Sequence, residues 1–113
     1  MSERRQKDEV LADRIRPLLA GLPGLVEKMM FGGLGYIIQG NMACGVHGGE
    51  LIVRVGPARH AEALARPHAR PFDLTGRPMQ GWVTVAQPGF AAGADLSQWV
   101  QWGVDYALSL PSK

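Results

Sequence analysis

Glycine turns divide the stretch 25–55 into short extended segments, and this feature constrains the fold more than any other. The segments are apolar, or they alternate apolar with polar residues, as half-buried strands do. Gly40-Asn41 is a two-residue hairpin signal, since both residues tolerate a positive φ. Connections this short join neighbouring strands, so we predict an antiparallel β-meander. Its four strands are predicted at residues 26–31, 34–39, 42–47 and 50–55.

An amphipathic helix is predicted before the meander. It begins at Asp8, after a polar stretch at residues 1–7 that we expect to be frayed. Pro17 removes a helical hydrogen bond, so we expect a kink there or a restart of the helix. The apolar stripe of this helix recurs at steps of four, three and four residues: Leu11, Ile15, Leu18 and Leu22.

The second half of the chain first predicts a short helix and two short strands. Gly56-Pro57 opens the helix, which runs to about Ala65, because proline fits the first helical turn. Residues 68–73 are predicted to be a short extended piece, which Pro71 restricts to a sheet edge or to a non-strand conformation. Residues 81–86 alternate clearly and form a further strand.

A last helix is predicted from Asp95, with this residue as N-cap and Gln98 three residues later. Its helical apolar stripe comprises Leu96, Trp99, Val100, Gly103, Val104, Ala107 and Leu108. The predicted fold class is therefore α+β: an N-terminal helix, an antiparallel β-meander, a helix, further short strands and a C-terminal helix. We expect one domain over residues 1–113.

Cysteine usage and hydropathy indicate the compartment. The single cysteine, Cys44, cannot form an internal disulfide, which suits a reducing environment. The charged N-terminus has no apolar run behind it, so it is not a secretory signal. No stretch approaches the roughly 18 apolar residues of a membrane span. We therefore expect a cytoplasmic protein, and its formal charge of +2 is too small to predict nucleic-acid binding.

A segment rich in methionine and glycine carries a family resemblance. Residues 28–36, Lys-Met-Met-Phe-Gly-Gly-Leu-Gly-Tyr, resemble the segment that marks TfoX/Sxy N-terminal domains. The segments 40–43, 50–55 and 70–83 resemble the same family in the same order, so the resemblance covers nearly the whole chain. The motif residues, to which we assign a structural role, are Met30, Phe31, Gly32, Gly33 and Gly35.

The resemblance implies the same order of helices and strands as the residue pattern. It also implies a regulatory role, since the family includes a competence regulator that works with a cyclic-AMP-responsive transcription factor. Fuller members carry a second, C-terminal helical domain, whereas this chain stops just after its last predicted helix. We therefore expect a stand-alone N-terminal form. The family supplies no catalytic residues, and we predict neither an enzyme nor a cofactor or metal.

Three groups of residues could carry other chemistry. The glycine segment 32–35 lacks the spacing, the Lys-Ser/Thr pair and the following helix of a phosphate loop, which favours strand packing. Cys44 and His47 lie at an odd spacing on one strand and point to opposite faces, which disfavours a thiol–base pair. His47, His60 and His68 are scattered and lack the spacing of zinc ligands.

An arginine-rich stretch is the candidate binding surface. Residues 50–77 hold five arginines and three acids, a local surplus of two positive charges for phosphates or an acidic partner. On the last helix, a tryptophan at the margin of the apolar stripe is expected to be half exposed, as at many interfaces. The candidate surface comprises Arg54, Arg59, Arg66, Arg70, Arg77 and Trp102.

Three functional hypotheses follow. The first is a regulatory protein-interaction module whose partner is a transcription factor, with direct DNA contact left open. The second is a small-ligand-binding protein or enzyme with an unrecognised pocket. The third is a homodimer, since an open antiparallel sheet leaves an edge that can pair with a second copy.

Overall fold

A computed structural model describes residues 3–30, 32–73, 76 and 79–112. These residues form three α-helices and one six-stranded sheet, with two short 3-10 turns at Pro57–Arg59 and Gln87–Phe90. The helices are α1 (Glu3–Leu19), α2 (His60–Leu64) and α3 (Gly93–Ser109). The strands are β1 (Leu25–Met30), β2 (Gly33–Ile38), β3 (Asn41–His47), β4 (Glu50–Arg54), β5 (Ala69–Pro71) and β6 (Trp82–Val85).

The sheet has the order β1-β2-β3-β4-β6-β5, and every neighbouring pair is antiparallel. The predicted α+β class and the meander are thereby confirmed, since β1 to β4 follow one another in space as in sequence. The chain then passes over β6 to place β5 at the far edge. This position suits β5, because an edge strand has a neighbour on one side only and so tolerates Pro71, which has no N–H to donate.

The helices pack on one face of the sheet, where the apolar side chains of alternate strand positions point. Leu51 and Val53 of β4 pair in register with Val85 and Val83 of β6, and all four side chains are buried. They belong to a single core cluster with the inner faces of α1 and α3. Burial of this cluster supplies the main stabilising term of the fold, about 25 cal/mol per Å² of apolar surface.

A β-bulge brings α3 unusually close to the sheet. Tyr36 pairs with Cys44, but Ile37 pairs with Met42, so Ala43 is an extra residue on β3. Gly103 of α3 lies directly on the backbone of Ala43. The absence of a side chain at Gly103 sets the depth at which α3 sits, and Trp99 and Val100 are buried as a result.

The N-terminal helix differs from the prediction in its start and its stripe. It begins at Glu3 rather than Asp8, so the stretch expected to be frayed is helical from there on, and it includes Pro17. Leu11 and Ile15 are buried as predicted, but Leu18 is 40% exposed and Leu19 is buried instead. Steps of four residues keep side chains on one face of a straight helix, and Leu19 lies four residues after Ile15.

The turn between β2 and β3 is one residue earlier than predicted. Gln39 and Gly40 adopt positive φ values of 53° and 85°, whereas Asn41 is already the first residue of β3. Asn41 is buried, and its Nδ2 donates a hydrogen bond of 2.9 Å to the carbonyl oxygen of Pro111. A tight hairpin was therefore predicted correctly, but its turn residues are Gln39 and Gly40, and Asn41 instead links β3 to the chain after α3.

Two helix details were also wrong. The last helix begins at Gly93, and its N-cap position is Ala92 rather than Asp95, which lies in the first turn. The middle helix starts as a 3-10 turn, and its buried residue is Ala63. Within the described residues, no helix is long and apolar enough to cross a membrane.

Candidate functional site

The structure divides the predicted arginine surface. Arg54, Arg59 and Arg66 lie near the aromatic side chains of α3, whereas Arg70 lies on the sheet face that the helices leave open. Arg77 lies outside the described residues. The sequence prediction of one continuous surface was therefore too simple, because alternation along β5 sends Arg70 away from α3.

Arg59 ends the 3-10 turn just before α2 and Arg66 follows α2, and both guanidinium groups lie over the Trp102 ring. Their Cζ atoms lie 5.0 Å and 5.3 Å from the Trp102 ring centroid, and Arg66 is also 5.3 Å from Trp99. Trp99 and Trp102 meet edge to face with centroids 5.4 Å apart. Trp102 is only 9% exposed, so the expected half-exposed tryptophan is covered by arginines.

Acidic side chains surround these two arginines. Arg59 lies 3.9 Å from Glu62 and 4.0 Å from Asp105, and Arg66 lies 3.8 Å from Asp95. These separations are ion pairs without tight hydrogen bonds, which contribute little to stability at a surface. The acidic neighbours balance the two positive charges locally. About a third of each arginine side chain stays exposed, 37% for Arg59 and 33% for Arg66.

Arg54 extends this surface toward the end of the sheet. Its Cζ lies 5.3 Å from the Trp82 ring and 5.2 Å from the Tyr106 ring. It makes no ion pair with any part of the chain that the structure describes. We call this surface the arginine–aromatic face: Arg54, Arg59, Arg66, Trp99, Trp102 and Tyr106.

Arg70 belongs to a separate, small pocket on the open face of the sheet. It donates two hydrogen bonds to the Glu50 carboxylate, one of them 3.1 Å long, and these bonds raise its pKa. The pocket has a volume of about 170 Å³ and is also lined by His47, Asp73 and Thr84. Arg70 and Glu50 satisfy each other, which leaves Asp73 as the one carboxylate of the described lining without an ion pair to the described chain.

The residues considered for catalysis do not come together. Cys44 is fully buried, and burial raises its pKa to about 12, so its reactive thiolate form is strongly disfavoured. His60 uses its Nδ1 atom to accept a hydrogen bond of 2.9 Å from the Gly81 N–H. Among the described residues, no three His, Cys, Asp or Glu side chains are grouped to hold a metal ion.

The family motif lies at the β1–β2 hairpin. Gly32 has a φ of 78° in the turn, and a side chain on Gly33 would collide with the Val46 carbonyl. The Met30 side chain covers Gly35, where a Cβ would lie 2.5 Å from its sulfur. Phe31 lies outside the described residues. These positions fit close strand packing and leave no helix N-terminus behind the glycines.

Sequence reasoning missed a groove between α1 and the 3-10 turn Gln87–Phe90. It has a volume of about 540 Å³. The sequence does place Lys7, Val10 and Arg14 on one side of a single helix. That pattern was not recognised, because residues 1–7 were expected to be frayed and the helix was predicted to begin only at Asp8. The described lining residues are Gln6, Lys7, Val10, Leu11, Arg14, Gly49, Gln87, Phe90 and Ala91.

Comparisons with known proteins agree with this architecture. The crystal structure of Deinococcus radiodurans protein DR2400, which has a DUF419 domain, is similar with a TM-score of 0.63. The match covers 82% of this chain and 75% of that chain at 22% identity, which shows a shared fold. A comparison with curated proteins gave no match. The family model of the TfoX N-terminal domain matches residues 17–107, from the last turn of α1 to the last turns of α3, and the chain therefore belongs to that family.

Proposed function

We propose that this domain is a non-enzymatic protein-interaction module that acts in the regulation of transcription. The observation that carries the proposal is the arginine–aromatic face. Arginine, tryptophan and tyrosine are the residues most often found at the energetic centres of protein interfaces. Here Arg59 and Arg66 already lie over the Trp102 ring, with Cζ 5.0 Å and 5.3 Å from its centroid, so less conformational freedom is lost when a partner binds their outer sides.

The charge on this face favours a protein partner over DNA. A phosphate-binding surface needs an excess of positive charge, because affinity for DNA comes largely from counterion release. Glu62, Asp95 and Asp105 lie beside Arg59 and Arg66, so the face holds three acids against its three arginines, although Arg54 makes no ion pair with the described chain. Membership in the TfoX N-terminal family supports a link to transcription, since the family resemblance implies a regulator that works with a cyclic-AMP-responsive transcription factor.

The small-ligand or enzyme alternative has weaker support. The pocket beside Arg70 has about 170 Å³, below the roughly 300–1,000 Å³ typical of small-molecule sites. The groove beside α1, at about 540 Å³, is large enough, but its described lining has no His, Cys, Asp or Glu that could act as a nucleophile, acid or base. Catalysis by Cys44 would need an accessible thiolate, and the side chain is fully buried. We therefore favour protein binding over a small-ligand or enzymatic function.

The test is a fluorescence anisotropy titration of the labelled domain with the purified cyclic-AMP-responsive transcription factor of the same organism. The double variant Arg59→Gln with Arg66→Gln removes both stacked charges, and we expect it to weaken binding by about tenfold or more. Arg70→Gln is the matched control, because it also removes an arginine and an ion pair but lies on the open sheet face. Its affinity should stay within about twofold of the wild type.

A parallel titration with a DNA duplex separates the two partner classes. At ~50 mM and ~200 mM salt we expect only weak binding to DNA alone, because the face lacks surplus positive charge. Tight, salt-sensitive binding that the double variant abolishes would replace the proposal with direct DNA recognition. No saturable binding to the transcription factor, or equal binding by the double variant, would overturn it. Circular dichroism and urea midpoints verify that the variants are folded.

A further inference from the structure

The groove between α1 and the 3-10 turn has an apolar floor and an exposed apolar wall. Leu11 and Phe90 form buried parts of the lining, and Val10 stands at the wall with 64% of its surface exposed. A single exposed valine is common on protein surfaces, but this one borders a concave surface with an apolar floor, and that combination suits a docking site. The wall belongs to residues 6–14, ahead of the family match at 17–107, so family membership does not imply the groove.

The rim of the groove is basic. Lys7 and Arg14 stand seven residues apart on α1, about 10 Å along the helix axis. Neither makes an ion pair with the described chain, and none of the described lining residues is acidic. This contrasts with the arginine–aromatic face, where Arg59 and Arg66 have acidic neighbours of their own.

The groove is held open by specific contacts. Asp8 is buried and accepts a hydrogen bond of 2.7 Å from the Gly49 N–H, which ties α1 to the β3–β4 turn. The stem of Lys7 packs on Gly49, where a Cβ would lie 3.0 Å from the Lys7 Cβ. Arg14 donates to the carbonyl oxygens of Phe90 and Ala91 at 2.9 Å and 3.1 Å. A preformed groove binds with less loss of conformational entropy.

We infer that this groove binds an acidic amphipathic helix of a protein partner. The apolar side of such a helix fills the groove over Val10, Leu11 and Phe90, as in other helix-in-groove complexes. Carboxylates one heptad apart on that helix match the spacing of Lys7 and Arg14. The inference rests on the proposed role in protein binding, but it assigns a second surface with its own chemistry.

The test uses two fluorescein-labelled 14-residue helical peptides that share one leucine stripe. One carries glutamate and the other lysine at every position flanking the stripe. We expect the glutamate peptide to bind about tenfold more tightly than the lysine peptide, with an affinity that falls as salt rises. Lys7→Glu should weaken binding of the glutamate peptide about tenfold, and Val10→Asp should do the same.

The matched control is Lys28→Glu, which makes the same charge change at an exposed position on β1. It should leave the affinity within about twofold, because β1 does not line the groove. No saturable binding of the glutamate peptide, or equal binding of both peptides, would overturn the inference. Sedimentation of wild type and Val10→Asp tests a second copy as occupant, and a dimer lost in the variant would overturn it too.

The two proposals fail separately. The double variant Arg59→Gln with Arg66→Gln should still bind the glutamate peptide, since neither residue lines the groove. Loss of transcription-factor binding in that variant concerns only the arginine–aromatic face. Loss of peptide binding in Lys7→Glu, with the factor still bound, concerns only the groove.

Discussion

Adding one methyl group at Gly103 should destabilise the protein, although alanine is the better helix former. A Cβ at Gly103 would lie 3.0 Å from the carbonyl carbon of Ala43, closer still to its oxygen, and 3.3 Å from Val53 Cγ1. The first two are backbone atoms of a paired strand and cannot rotate away. Because carbon atoms pack at roughly 3.5–4.0 Å, α3 would have to move outward by on the order of 1 Å.

The magnitude follows from two opposing terms. Overpacking a well-packed core costs about 1–3 kcal/mol, and here the displaced helix also loosens the buried Trp99 and Val100. Replacing glycine by alanine inside a helix returns up to about 1 kcal/mol. We therefore expect Gly103→Ala to lower the free energy of unfolding by about 1–2 kcal/mol, and the melting temperature by roughly 4 °C for each kcal/mol.

Gly93→Ala in the same helix is the control, and it should not lower the free energy of unfolding. Nothing lies within 4 Å of a Cβ at Gly93, so only the change in helix propensity remains. It should leave stability unchanged or raise it by up to about 1 kcal/mol. Urea denaturation followed by tryptophan fluorescence measures both variants. A Gly103→Ala protein as stable as Gly93→Ala would refute the argument that the Ala43 bulge fixes the depth of α3.

Two further predictions concern buried polar groups. The Cys44 thiol should not react with Ellman's reagent at pH 8 in the native protein, and fast native reaction would contradict its burial. Its pKa is raised to about 12 in the folded state and is about 8.5 unfolded, so the unfolded state loses its proton first. The contribution of Cys44 to stability is therefore complete below about pH 8.5 and falls as pH rises toward the folded value, and Cys44→Ala should reduce this alkaline loss. Asp8→Ala leaves the Gly49 N–H without its acceptor and should destabilise by about 1.5–3 kcal/mol in urea, whereas Asp8→Asn keeps an acceptor and should lose less; an Asp8→Ala protein of wild-type stability would contradict this.

Much of the fold could be predicted from local pattern. Alternation and glycine turns placed the strands of the meander within one or two residues, because strand side chains repeat every two positions. Local pattern could not show which of the residues near a turn adopts the positive φ. Gln39 has a positive φ, which its residue type does not predict, and Asn41 instead lies in β3, where its side chain donates a hydrogen bond to the Pro111 carbonyl.

The candidate site was less predictable than the fold. Counting charges along residues 50–77 gives a surplus of positive charge. Asp95 and Asp105, which lie far away in sequence on α3, reduce that surplus because they lie beside Arg66 and Arg59. Asp95 was assigned to capping because a single sequence does not show that Arg66 lies beside it. The groove was missed because it needs two elements, α1 and the turn at Gln87–Phe90, that only tertiary packing brings together.

The segment between β4 and β6, which carries α2 and the edge strand β5, begins and ends at the same point of the sheet. The N–H groups of Val55 and Gly56 both bond to the Gly81 carbonyl, at 2.8 Å and 3.1 Å, and so pin its two ends together. A chain that departs and returns at one place can gain or lose residues in between without moving the strands on either side. Since the entropy of closing a loop grows only slowly with its length, this excursion is where relatives can diverge in length while the rest of the architecture stays fixed.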